Sequence, residues 1–171
     1  MTDTGKLMEQ DEVRAFPLIK KISEQEFDAE APEGMSMPAL MGMKTTEAAN
    51  GVYLTAIGAL GTQAERYGSM ASANFAELEP RDAAEAMLIA QMTATHVAMT
   101  VLSERLFAQA SYQVRESYER SITRLSRTYL AQMEALKKYR AKAQQVVRVE
   151  RVTVEEGGQA IVGNVNGAGG R

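Results

Sequence analysis

Leu88, Met92, Thr95, Met99, Leu102 and Leu106 recur at spacings of four, three, four, three and four. That is the stripe of a helix that buries one narrow side against a partner. A second stripe follows, with Tyr118, Ile122, Leu125, Tyr129, Gln132, Leu136 and Tyr139 in the same rhythm. A single rod would carry the first stripe onto Gln109, Gln113, Glu116 and Arg120, all polar. The second stripe is two residues out of phase, nearly the opposite face at about 100° per residue. A turn near Gln109–Arg115 lets the two stripes face each other, so the pattern predicts a long antiparallel helical hairpin over 80–143. Pro80 marks its start, and Asp82 and Glu85 suit the positive end of a helix dipole.

Beyond Lys142 the period changes from helical to alternating. Val147 and Val149, then Val152 and Val154, predict a strand, with a slip at Glu150-Arg151 that reads as a bulge or strong twist. Glu155-Glu156-Gly157-Gly158 predicts a turn, and Ile161, Val162 and Val165 a returning strand. The predicted β-hairpin therefore spans 144–165, ahead of a flexible glycine tail over 166–171. A lone two-stranded ribbon is marginal in water, and this one has valines on both faces and open edges. It is expected to pack on the helices or to pair with copies from other chains, the valine density favouring the second arrangement.

The first half is less regular. Residues 1–44 read as a mobile arm, acidic at first, with a methionine-rich segment over 35–43 that suits an adaptable docking sequence. Two short helices are expected in 45–79. The first, Thr45–Gly61, shows a small-residue face of Val52, Ala56, Ala59 and Leu60. The second, Gln63–Leu78, shows Tyr67, Met70 or Ala71, Phe75 and Leu78. Together they suggest a helix-turn-helix, but a reading helix should offer basic or amide side chains to a groove. Residues 45–80 hold Arg66 and four glutamates, net −3, which argues against base recognition.

Composition narrows the classes. The 171 residues leave room for one modest core, and with no Trp and 6% aromatics that core relies on aliphatic residues and Met. Without Cys there is no disulfide framework or thiolate chemistry, which fits a reducing cytoplasm. No apolar run approaches twenty residues, so no membrane association is expected. The net charge of −3 is unevenly spread: residues 1–80 hold 6 basic and 13 acidic side chains, whereas residues 111–151 hold 10 and 4. This asymmetry suits head-to-tail contact between copies, a basic surface for an anionic partner, or an acidic tail screening its own basic helix.

Candidate chemistry is sparse. His96 has Met92, Thr93, Met99 and Thr100 at its helical neighbours, hence no carboxylate to orient it and no nucleophile to activate. It reads as a packed, hydrogen-bonded helix residue, although a symmetric axis could gather several copies. No phosphate-binding glycine loop is present. No catalytic residue, metal site or cofactor is expected. Arg120, Arg124 and Arg127, with Lys138 further along, share one face of the second long helix. Such a stripe could meet nucleic-acid phosphates, pair with a neighbouring subunit, or serve the helix dipole.

Gln91-Met-x-Ala-Thr-His96, Arg127-Thr-Tyr-x-Ala-Gln-Met-Glu-Ala-Leu136, Gln144-Gln145 and Glu155-x-Gly-Gly-Gln-Ala-Ile-Val-Gly-Asn-Val165 resemble a family of bacterial and prophage-encoded proteins. The resemblance covers roughly 78–165 and implies no particular activity. Relatives often carry alternating histidines on the first strand, where this chain has Arg151 and Thr153. The resemblance therefore transfers no metal or pH role. In element order the chain is also similar to phage small terminase subunits, which build rings from helical hairpins and in several cases a barrel from β-hairpins. That likeness implies a homo-oligomer that contacts DNA and a large packaging subunit. Here an acidic, methionine-rich region stands where such proteins have a DNA-binding helix-turn-helix.

The expectation is a mainly α, non-enzymatic protein completed by oligomerisation. The alternative is an interaction module or inhibitor that docks a host or phage partner through its N-terminal arm.

Overall fold

The computed structural model describes residues 14–23 and 27–142. The valine ribbon over 144–165 and the glycine tail lie outside the described residues. Within them the chain is mainly helical, with one two-stranded sheet.

Residues expected to form a mobile arm contain that sheet. β1 (Leu18–Lys21) and β2 (Phe27–Glu30) pair antiparallel, Leu18 opposite Glu30 and Lys21 opposite Phe27. The reason is a short period-two pattern: Ile19, Phe27 and Ala29 turn toward the helices, while Leu18, Lys20, Asp28 and Glu30 are exposed. Gly68 makes room for this sheet. A Cβ there would stand 2.3 Å from Ile19 Cδ1.

The methionine-rich segment is also more than a docking sequence. Its centre is α1 (Met37–Met41), started by Ser36, whose side chain accepts from the Ala39 N–H, and ended at Gly42 with φ 63°. Met37 and Met41 are buried in the core. Gly42 is required twice over: its backbone is left-handed, and a Cβ would come within 1.7 Å of Pro80 O. This close approach seats the α1 corner on the corner before the long hairpin.

α2 (Thr46–Gly58) is capped by Thr45 and buries Ala49, Tyr53, Ala56 and Ile57. Of the face expected from the sequence, Ala56 and Leu60 are buried and Val52 packs against the core, whereas Ala59 is exposed and Tyr53 supplies the anchor. Tyr53 Oη lies 2.7 Å from Ser72 Oγ and donates to Pro17 O at 3.4 Å. One phenol thereby ties the first described segment to α2 and α3, and burial pushes its pKa up to about 12 against the Ser72 contact.

A 3-10 turn at Gly61–Gln63 leads into α3 (Ala64–Leu78), which buries Ala71 and Phe75. α4 (Ala83–Ala108) and α5 (Tyr112–Lys142) follow, joined across Gln109–Ser111. Asp82 is the cap of α4 rather than a first-turn residue, accepting from the Glu85 N–H at 3.0 Å.

α4 and α5 form the antiparallel hairpin read from the two stripes. Asp82 meets Tyr139, Glu85 meets Arg140, His96 meets Tyr129 and Met99 meets Ser126. α3 runs back along α4, with Arg66 on Glu104 and Asn74 on Thr93. α4 is therefore the middle layer, with α2 and α3 on one side and α5 on the other. An 18-residue window of α4 has mean hydropathy 1.3, enough by length and composition to cross a membrane. In this fold 28% of that window is buried, and α4 packs on two faces, with Leu88 and Met92 on the stripe and Ala86, Ile89 and Val97 off it.

Candidate interaction surface on the helical hairpin

α5 is an outer helix with one covered side. Ile122, Leu125, Tyr129 and Leu136 turn toward α4, yet only Leu136 is buried. On α4, Met92 is buried, whereas Leu88, Met99, Leu102 and Leu106 are half-buried. Two helices shield the middle of their shared stripe and leave its flanks open, which explains the graded burial.

The remaining circumference of α5 is charged. Residues 112–142 hold eight basic and three acidic side chains. Arg120, Arg124, Arg127 and Lys138 are all exposed and lie on the side turned away from α4, as their spacing from Leu125 and Leu136 requires. Arg120 pairs with Glu116 at 3.2 Å and Lys138 with Glu134 at 2.8 Å, each one helical turn away. Arg124 and Arg127 have no acidic partner among the described residues. They line a shallow hollow of about 400 Å³ with Glu116, Glu119, Arg120 and Thr123. The stripe is thus two half-neutralised cations flanking two open ones.

Apolar side chains interrupt this face. Leu130 is 65% and Met133 47% exposed, and at the hairpin tip Phe107 and Tyr112 are 85% and 75% exposed. Between Arg105 and Arg115 the tip carries no acidic residue.

The opposite end of the hairpin is a closed ionic latch. The Glu85 carboxylate is buried and accepts from Arg81 Nε at 2.9 Å and from Arg140 Nη2 at 3.1 Å. Arg140 also donates to Leu78 O, so it joins the ends of α3, α4 and α5. Burial raises the Glu85 pKa, but the hydrogen bonds from Arg81 and Arg140 outweigh it and hold the carboxyl below its ordinary range. Asp82 is lowered as well, first by the Glu85 N–H, against some desolvation and with help from the Tyr139 hydroxyl. Sequence position alone explains Asp82 and Glu85 by helix-start electrostatics. Their remote partners, Tyr139 on Asp82 and Arg140 on Glu85, lie 57 and 55 residues away, and no local pattern announces them.

His96, expected as a packed and hydrogen-bonded helix residue, is exposed. Its ring sits 6.3 Å from that of Tyr129, at a tilt of 48°. Among the described residues no three His, Asp or Glu side chains gather in a metal-binding group. No family model, curated protein or solved structure matches this chain.

Proposed function

We propose that this protein is a non-enzymatic, self-associating adaptor whose helical hairpin forms the body of an oligomer and whose α5 offers arginines to a nucleic-acid backbone. Its concrete form is a small-terminase-like packaging adaptor that binds DNA without reading sequence and contacts a large packaging subunit. One observation carries the reading: Arg124 and Arg127 stand open on the outer side of a helix with a single covered face. Unpaired cations at helical spacing suit phosphates, which need charge and reach rather than base-edge geometry. Repetition around an oligomer would turn a weak patch into a continuous band.

Fluorescence anisotropy with a labelled duplex tests it. Affinity should fall steeply with salt and be the same for unrelated sequences. The double variant R124E/R127E should lower the salt slope by about two and leave thermal unfolding unchanged. Salt-independent binding, or binding unaltered by the double variant, overturns the DNA role.

A further inference from the structure

Where α3, α4 and α5 meet, Met70, Asn74, Glu77 and Leu78 from α3 face Met92, Thr93 and His96 from α4 and Tyr129 from α5. They enclose an open cleft of about 280 Å³. Its lining contains no Lys or Arg. The polar groups are a carboxylate, an amide, two hydroxyls and an imidazole. The amide nitrogen of Asn74 is engaged, donating to Thr93 Oγ1 at 3.0 Å, so its carbonyl oxygen is the end left to accept. Glu77 is exposed and has no cationic partner among the described residues. One turn beyond Tyr129, Gln132 Oε1 is buried with no hydrogen-bond donor among them. The cleft itself offers the Glu77 carboxylate and the Asn74 carbonyl as acceptors with no donor to them among the described residues.

From this lining we infer that the cleft is a binding site for a guanidinium group. Three features favour that chemistry over a generic cation. Glu77 and the Asn74 carbonyl supply acceptors for a planar, forked donor. The His96 and Tyr129 rings, 6.3 Å apart, give that plane aromatic surface to lie against. Met70, Met92 and Leu78 accommodate the aliphatic stem. The guanidinium could belong to a small free cation or to an arginine of a second copy, and the same measurement separates these sources.

His96 is the single histidine of the chain, so its Hε1 resonance reports on the cleft without assignment ambiguity. Agmatine is added to the full-length, histidine-labelled protein at pH 8. The resonance should move saturably, with butylamine binding more weakly. Glu77→Gln, a surface change that leaves unfolding unaltered, should weaken agmatine by about tenfold. A linear drift that matched sodium chloride reproduces overturns the inference, as does a binding curve unchanged in Glu77→Gln. If saturation also lowers the mass seen by light scattering, the native occupant is a second copy's arginine. If the mass is unchanged, it is a free cation.

Discussion

A single buried carboxylate shows how this molecule closes its long hairpin. Glu85 is fully shielded, whereas its partners Arg81 and Arg140 keep side chains 45% and 34% exposed. Removing the negative charge strands two guanidiniums, but water still reaches both. The cost should therefore fall below the 3–5 kcal/mol of a fully buried pair. Glu85→Gln is expected to lose about 2 kcal/mol in urea unfolding. The same residue sets an acid limit. Glu85 and Asp82 are held below their ordinary values of 4.5 and 3.8. Just below those values the unfolded chain binds protons that the folded chain does not. Their stabilisation is thus complete above pH 4.5 and is lost as pH falls through the depressed values. Urea midpoints measured between pH 6 and pH 3 should fall steeply at the acid end, and less steeply in Glu85→Gln.

Helix by helix, the legible part of the fold is the part written in short-range terms. The two stripes predicted α4, α5, their antiparallel pairing and the turn between them, because heptad spacing and phase are properties of neighbouring residues. The α1–α2 corner and the sheet were not legible, since what forms them is remote in sequence. Ile19 needs the bare surface of Gly68, and Tyr53 needs Ser72 and Pro17. Met41 belongs to the core although its segment looks like a linker. The second buried face of α4 escaped for the same reason: Ile89 and Val97 fall off the stripe and gain their purpose only from α2 and α3. That double duty gives a measurable gradient. Ile89→Ala, in the middle layer with no exposure, should cost about 3–4 kcal/mol. Leu125→Ala, half-buried between two helices, should cost about 1 kcal/mol. Equal losses by chemical denaturation would contradict a middle-layer role for α4.

At the scale of the molecule, the asymmetry of α5 bears most on assembly. A helix of 31 residues that covers one side against α4 leaves Leu130 and Met133 facing solvent one turn apart. Neither supports the core, so their exposure is a cost to a lone molecule and a resource for an associated one. Charge points the same way, because residues 1–80 are net −7 and residues 111–151 net +6. Copies arranged head to tail would oppose these regions and bring the open flanks of the stripes together. The double substitution L130E/M133E separates association from folding. Light scattering of the wild-type chain at micromolar concentration should give a multiple of 18.7 kDa, and the variant a monomer with the same unfolding midpoint. A wild-type monomer at that concentration would overturn self-association and with it the oligomeric adaptor. A variant that stays oligomeric would move the interface off α5, and the hairpin would then be a spacer between associating ends.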